Sequence, residues 1–118
     1  MAVTVLIVDD HPTFRASARR LLEDEGFDVV GEAADGTTGV ALARELEPAL
    51  VLLDVVLPDL SGFEVARRLA GGPSNVLLTS SRDQADFGPR LRQSPVLGFV
   101  SKDQLSGERI RALLEHAA

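Results

Sequence analysis

The sequence predicts a doubly wound α/β domain, and two observations carry that expectation. Five short runs are apolar almost throughout, as strands covered on both faces must be. They alternate with segments of helical periodicity, the pattern of a parallel sheet layered between helices. A length of 118 residues suits one such unit and leaves no room for a second, so residues 1–118 are expected to form a single domain.

The elements follow in order. Val3 to Val8 is the first strand. Pro12 to Glu25 is a helix with Phe14, Ala18, Leu21 and Leu22 on one face and Gly26 just past its end. Val29 to Ala33 is the second strand, and Asp35-Gly36 a turn. The helix from Thr37 to Leu46 stops before Pro48, because the residue preceding proline is disfavoured in the helical region. Ala49 to Asp54 is the third strand, apolar until its closing Asp. Pro58 to Ser61 is a loop, and Gly62 to Ala70 a helix whose start carries the Ser61/Glu64 spacing of a capping box; Gly71-Gly72-Pro73 ends it. Asn75 to Thr79 and Val96 to Ser101 are the fourth and fifth strands. The last helix starts at Ser106, with Leu105 and Ile110 spaced for a hydrophobic staple and Leu113 and Leu114 facing inward.

One connection breaks the pattern. Arg82 to Pro95 should cross back as a helix, yet Gly88-Pro89 lies in its middle. Proline inside a helix costs about 3 kcal/mol and glycine up to about 1 more. A loop up to Gly88 is expected, then at most a turn or two beginning at Pro89, which is acceptable as a first helical residue. The fourth helix is therefore short or broken.

Composition excludes several classes. The chain has no cysteine, which rules out disulfides, thiol catalysis and Cys-ligated zinc. No basic region precedes a long apolar run, and no segment approaches the roughly 18 apolar residues of a membrane span, so a cytoplasmic protein is expected. A net charge of −6 argues against direct nucleic-acid binding, which needs clustered cations. The five phenylalanines are too dispersed for a base-stacking platform; all but Phe99 are expected in the core. Eleven arginines stand against a single lysine, Lys102.

In open parallel sheets, ligands gather at the carboxyl ends of the strands. Asp9-Asp10, Asp54, Thr79 and Lys102 all fall there. Two carboxylates about 4 Å apart repel by about 4 kcal/mol at an effective dielectric near 20, so three together need a cation. Mg²⁺ suits them, as a hard ion that takes a few oxygen ligands and keeps waters for a phosphate. Lys102 adds a compact point charge. Each position alone has a plainer explanation: a helix cap for either Asp site, nothing for a lone Thr, a solvated charge for the Lys. The coincidence of four such positions on one edge is what carries weight. His11 and His116 keep their plain explanations, an exposed histidine near a helix start and a tail residue.

Four stretches share a family pattern: Val5-Leu6-Ile7-Val8-Asp9-Asp10-His11-Pro12; Leu52-Leu53-Asp54-Val55-Val56-Leu57-Pro58 followed by Gly62; Leu77-Leu78-Thr79-Ser80; and Gly98-Phe99-Val100-Ser101-Lys102. In order and spacing they resemble the acidic pair, phosphoacceptor loop, switch hydroxyl and last strand of a response-regulator receiver domain, the phosphoacceptor module of two-component signalling. The resemblance spans the whole chain. It implies the flavodoxin-like five-stranded sheet of order 2-1-3-4-5. It implies that Asp54 attacks a phosphohistidine on a sensor histidine kinase or phosphotransfer protein. Mg²⁺ would be held by Asp9, Asp10, Asp54 and the backbone carbonyl of Val56. Lys102 would steady the phosphoryl oxygens, Thr79 would hydrogen-bond the new group, and Phe99 would then turn inward. Such a domain is no enzyme in the ordinary sense, since it catalyses only its own phosphotransfer and dephosphorylation, and it is compatible with a homodimer.

The chain also departs from that pattern. Asp103 follows Lys102 where many receivers have proline, as in the subfamily often fused to a helix-turn-helix output domain. Asp54 and Thr79 are 25 residues apart, closer than usual, so the third helix and its loop are trimmed. Val56 and Ser81 sit where the family tunes hydrolysis, and neither is acidic or amide-bearing to orient a water, which implies slow loss of the phosphoryl group. Two rival functions remain: a pseudo-receiver, binding partners without phosphorylation, and an Mg²⁺-dependent phosphatase with an aspartyl nucleophile. The intact acidic pair, Asp54, Thr79 and Lys102 argue against the first. Against the second, Val56 stands where such enzymes place another Asp.

Overall fold

The structure, a computed structural model, describes residues 2–117. Five strands, β1 (Thr4–Val8), β2 (Asp28–Ala33), β3 (Leu50–Asp54), β4 (Asn75–Ser80) and β5 (Gly98–Ser101), form one parallel sheet in the order β2-β1-β3-β4-β5. The intervening helices are α1 (Pro12–Asp24), α2 (Gly36–Leu46), α3 (Gly62–Leu69), α4 (Pro89–Gln93) and α5 (Gly107–Ala117). The expected doubly wound fold and its strand order are both present.

Side-chain alternation along the strands divides the interior into two layers. Val5, Ile7, Leu50, Leu52, Leu77 and Val100 pack with Ala18 and Leu22 of α1 and Ile110 of α5. Leu6, Val8, Val51, Leu53 and Leu78 pack on the opposite face with Val40 and Ala43 of α2, Phe63, Val65, Ala66 and Leu69 of α3, and Leu91 of α4. The middle strand β3 is buried along its whole length.

Most element boundaries lie within a residue or two of expectation, and the differences have local causes. β5 opens at Gly98 rather than Val96, because Val96 N–H turns back to the Ser94 carbonyl (2.9 Å) and the ladder begins with Leu97 N–H donating to the Val76 carbonyl (2.7 Å). Asp35 is a helix cap rather than part of a turn with Gly36: its carboxylate accepts the Thr38 N–H at 2.7 Å, so α2 starts one residue early. The capping box at α3 is only half made. Ser61 Oγ accepts the Glu64 N–H at 3.2 Å, but the Glu64 carboxylate is drawn to Arg67 and Arg68 instead of returning to the Ser61 amide.

The connection from β4 to β5 is broken where glycine and proline said it would be. Gly88 has φ +56°, a region that favours glycine, and α4 begins at Pro89 and lasts five residues. The stretch before Gly88 is not a plain loop, however. Gln84–Phe87 forms a 3₁₀ turn closed by a reciprocal Asp83/Asp86 capping box. Phe87 holds it down, with its ring centroid 6.0 Å from that of Phe63 and 5.7 Å from that of Phe99. One aromatic anchor and one short helix are little to hold such a segment. Amides of Arg82 to Gln93 are accordingly expected to exchange with solvent at least about tenfold faster than those of α1. Equal protection in a hydrogen-exchange measurement would show that the segment is as firmly held as a regular helix.

Candidate functional site

The alternation that builds the core also assembles the polar cluster. Continuing the buried row Val5–Ile7 one step past β1 reaches Asp9; Leu50–Leu52 leads to Asp54, Leu77 to Thr79, and Val100 to Lys102. All four positions therefore emerge on the face covered by α1 and α5, at the carboxyl edge of the sheet. Asp54 and Thr79 are direct partners in the β3–β4 register. Asp9, Asp54 and Thr79 are no more than 4% exposed, so their polar atoms answer to one another more than to water.

The geometry is tight. Lys102 Nζ lies 2.7 Å from Asp9 Oδ2 and 3.1 Å from Asp54 Oδ2. The first contact is an ion pair out of hydrogen-bonding alignment; the second is an aligned hydrogen bond. The Val56 N–H donates to Asp54 Oδ1 (3.1 Å), and the His11 N–H donates to Asp9 Oδ1 (2.8 Å). Arg15 ties down the Asp9 backbone through its carbonyl (2.7 Å), and the Phe14 ring lies under the Lys102 ammonium, 4.4 Å from Nζ to centroid.

These neighbours pull the carboxyls apart in acidity. Burial pushes Asp54 up, and the charge of Asp9 adds to it; the Val56 amide and Lys102 offset this only in part, so its carboxyl lies above the ordinary range. Burial also pushes Asp9 up, but Lys102 and the two His11 contacts outweigh it and hold that carboxyl below the ordinary range. Lys102 loses by burial and gains more from Asp9 and Asp54, so its ammonium is held above its usual value.

Donor atoms of Asp9, Asp10, His11 and Asp54 all lie within 4.8 Å of one another. Opposite ligands of a six-coordinate Mg²⁺ stand about 4.2 Å apart, so a small closure brings the set to a single ion. The buried Asp9 Oδ2 accepts no hydrogen bond among the described residues, and the charge-rich cluster has only one ammonium to balance it. The residues present fit a hard divalent cation.

The loop after β3 is shaped by close backbone packing. Val55 N–H donates to the Thr79 carbonyl (3.0 Å), Gly62 N–H to the Val55 carbonyl (2.7 Å), and Val56 faces Ser61 across an isolated antiparallel bridge. A Cβ at Gly62 would stand 2.5 Å from the Asp54 carbonyl oxygen and 2.8 Å from Val55 Cα, so only glycine lets α3 start this close to the site. Val56 itself is 56% exposed at the rim.

Of the residues expected from the sequence, Asp9, Asp10, Asp54 and Lys102 meet in one cluster, Val56 borders it, and Thr79 lies beside Asp54 with a buried hydroxyl lacking a partner among the described residues. Phe99 does not join them. It belongs to the opposite face, half-buried and packed on Phe87. Two residues were missed. His11, taken for a plain exposed histidine, turns its Nδ1 to within 3.1 Å of both Asp9 and Asp10; its place directly after the acidic pair was the available signal. Asp59, taken for a loop residue, accepts hydrogen bonds from the N–H groups of Gly36 (2.7 Å) and Thr37 (2.9 Å) and from the Thr37 hydroxyl (2.6 Å), pinning the loop to the start of α2. The Thr37 hydroxyl and those amides hold its carboxyl well below the ordinary range. No local pattern pairs residues so far apart.

Comparison with known proteins agrees with this geometry. The family model described as "Response regulator receiver domain" matches residues 5–115. The chain is 44% identical over 110 residues to BvgA of Bordetella pertussis, named as a positive transcription regulator of virulence factors; the match covers 92% of this chain and 53% of that protein. It is 36% identical to the response regulator GacA of Pseudomonas aeruginosa, covering 94% of this chain and again 53% of the relative. The chain thus spans about half the length of these relatives. Among solved structures, the signal receiver domain of a NarL response regulator from Mycobacterium tuberculosis superposes with a TM-score of 0.87 at 34% identity, covering 98% of this chain and 96% of that one.

Proposed function

The chain belongs to the response-regulator receiver family, and on that premise we propose that Asp54 accepts a phosphoryl group from a phosphohistidine on a sensor histidine kinase or phosphotransfer protein. The observation that carries this reading is the setting of Asp54: a buried carboxylate closing the middle strand, one oxygen on an amide and the other on the chain's only ammonium-bearing side chain.

An Asp54 oxygen attacks phosphorus, the P–N bond to the donor imidazole breaks, and the departing ring keeps the bonding electron pair and takes a proton. Asp9, Asp10, Asp54 and the Val56 carbonyl would hold Mg²⁺, which when bound supplies Lewis-acid charge neutralisation for the phosphoryl oxygens. Lys102 stays between Asp9 and Asp54 and offsets the charge gathered there. The Thr79 hydroxyl, buried and without a partner among the described residues, gains an acceptor when the phosphoryl group arrives, which favours a shift of β4 toward Asp54. Phe99 would turn further inward in response, with the Gln84–Phe87 turn moving through Phe87. Residues 1–118 would act as one regulatory unit, and the transcription regulators among the relatives suggest a gene-control output.

Incubation with acetyl phosphate and Mg²⁺, followed by intact-mass measurement, tests the proposal. Lasting addition of one phosphoryl group is the expected result. No addition would make the chain a phosphorylation-independent interaction module, and rapid multiple turnover would make it a phosphatase. In the same assay Lys102→Arg should slow uptake by at least about tenfold, because a planar guanidinium cannot take the place of a compact ammonium between two carboxylates. Uptake at the wild-type rate would reduce Lys102 to a surface charge.

A further inference from the structure

The inference rests on the reading of Asp9, Asp10 and Asp54 as metal-holding carboxylates. We propose that His11 is a further ligand of that site, and that its Nδ1 gives the protein a selective affinity for nitrogen-preferring first-row divalent ions, from Mn²⁺ to Ni²⁺ and Zn²⁺, beyond what oxygen donors alone provide.

The ring is not used elsewhere. His11 occupies the N-cap position of α1 with an extended backbone (φ −95°, ψ 106°) but makes no side-chain capping bond, and Pro12 fixes the first helical residue after it. Its side chain is 63% exposed, so packing does not explain its orientation either. What it faces is the cluster: Nδ1 is 2.8 Å from Asp9 Oδ1, 3.1 Å from Asp10 Oδ1 and 3.8 Å from Asp54 Oδ2. With metal–ligand bonds near 2.1 Å, neighbouring donors of an octahedron stand about 3.0 Å apart and opposite ones about 4.2 Å. The separations from Asp9 and Asp10 are close to the neighbouring-donor distance, and that from Asp54 falls between the two.

A second observation marks the same point as a cation's place. Asp9 Oδ2, on a residue 1% exposed, accepts no aligned hydrogen bond among the described residues; it is ion-paired with the Lys102 ammonium at 2.7 Å, and that ammonium also stands 3.5 Å from His11 Nδ1. Positive charge is thus already drawn to where carboxylates and imidazole converge.

The donor set then decides the ion. Mg²⁺ prefers oxygen and gains little from an imidazole, whereas Ni²⁺ and Zn²⁺ bind it well, and affinity for mixed nitrogen and oxygen sites rises from Mn²⁺ towards Ni²⁺. Because a carboxylate oxygen accepts, the 2.8 Å contact between Nδ1 and Asp9 Oδ1 requires a proton on that nitrogen. Ligation needs the other neutral tautomer, with the proton on Nε2, and the exposed ring leaves that nitrogen open to water.

Pulsed electron paramagnetic resonance on the full chain loaded with Mn²⁺ reads the contact directly. Wild type should show the ¹⁴N modulation of one coordinated imidazole, and His11→Asn, which keeps a residue suited to the N-cap, should lose it while still binding Mn²⁺. By calorimetry, the ratio of Ni²⁺ to Mg²⁺ affinity should fall at least tenfold in that variant. Bound Mn²⁺ without ¹⁴N modulation in wild type, modulation that survives in His11→Asn, or an unchanged ratio would each overturn the role of His11 and leave the carboxylate site standing. Failure of wild type to bind either Mn²⁺ or Mg²⁺ would instead overturn the carboxylate site itself, and this inference with it.

Discussion

Asp54→Asn is expected to abolish phosphoryl uptake from acetyl phosphate, a loss of at least about a thousandfold, because it removes the carboxylate nucleophile that closes the middle strand with one oxygen on the Val56 amide and the other in an aligned hydrogen bond from Lys102. Normal uptake by this variant, read by intact mass, would show that the acceptor is elsewhere. The same substitution should raise the melting temperature of the metal-free protein. The Asp54 carboxyl lies above its ordinary range in the fold, so the folded state binds this proton more tightly than the unfolded chain does. Stability is therefore lost as pH climbs from the ordinary carboxylate value through the raised one, and stays lost at neutral pH. Asn carries no such charge. Its advantage should be present at pH 7 and shrink as the pH falls far enough to protonate Asp54 in wild type. A variant that melts below wild type at pH 7 would show that Asp54 is stabilising in its charged form.

Gly62→Ala should be the most damaging small change near the site. Its added methyl meets backbone, not a side chain that can swing aside: the Asp54 carbonyl oxygen at 2.5 Å and Val55 Cα at 2.8 Å. Overpacking of this kind costs about 1–3 kcal/mol, or a melting point lowered by about 4 °C or more for each kcal/mol. Since α3 must back away from β3, the loop carrying Val56 should shift, and Mg²⁺ affinity should fall along with stability. Gly71→Ala is the informative control. At Gly71 it is the backbone conformation that is strained for alanine (φ +83°), while the space is open and the site distant, so stability alone should suffer. Equal Mg²⁺ affinity in Gly62→Ala and wild type would detach the close approach at Gly62 from the shape of the site.

What the sequence made legible and what it hid divide along a physical line. Apolar-through strands such as Leu50–Leu53 announce a sheet covered on both faces, because no other setting tolerates them. Period-two alternation, carried one residue further, then puts Asp9, Asp54, Thr79 and Lys102 on a common edge. Gly88-Pro89 located the break before α4, because backbone constraints are local and strong. The hidden features are choices of partner made by flexible side chains, some near in sequence and some far. Glu64 chose two arginines over its own helix cap, Asp59 reached α2 across the loop, and His11 turned its Nδ1 towards its acidic neighbours. The 3₁₀ turn at Gln84–Phe87 was hidden for the same reason, since its anchor is a ring set edge-on to Phe63 and tilted against Phe99, both from other elements.

The placement of Thr79 and Phe99 on opposite faces of the sheet limits how news of a modification at Asp54 can travel. No side chain of one layer can push directly on a side chain of the other, because the hydrogen-bonded backbone of β4 and β5 stands between them as a wall. The message has to be a displacement of the wall itself, felt beyond it as a change in how Phe87 and the short α4 are seated. Input and output surfaces on such a switch would thereby be kept apart. A protein seated over α1 and another seated over α4 would occupy opposite sides of the molecule, and neither would have to leave before the other arrived.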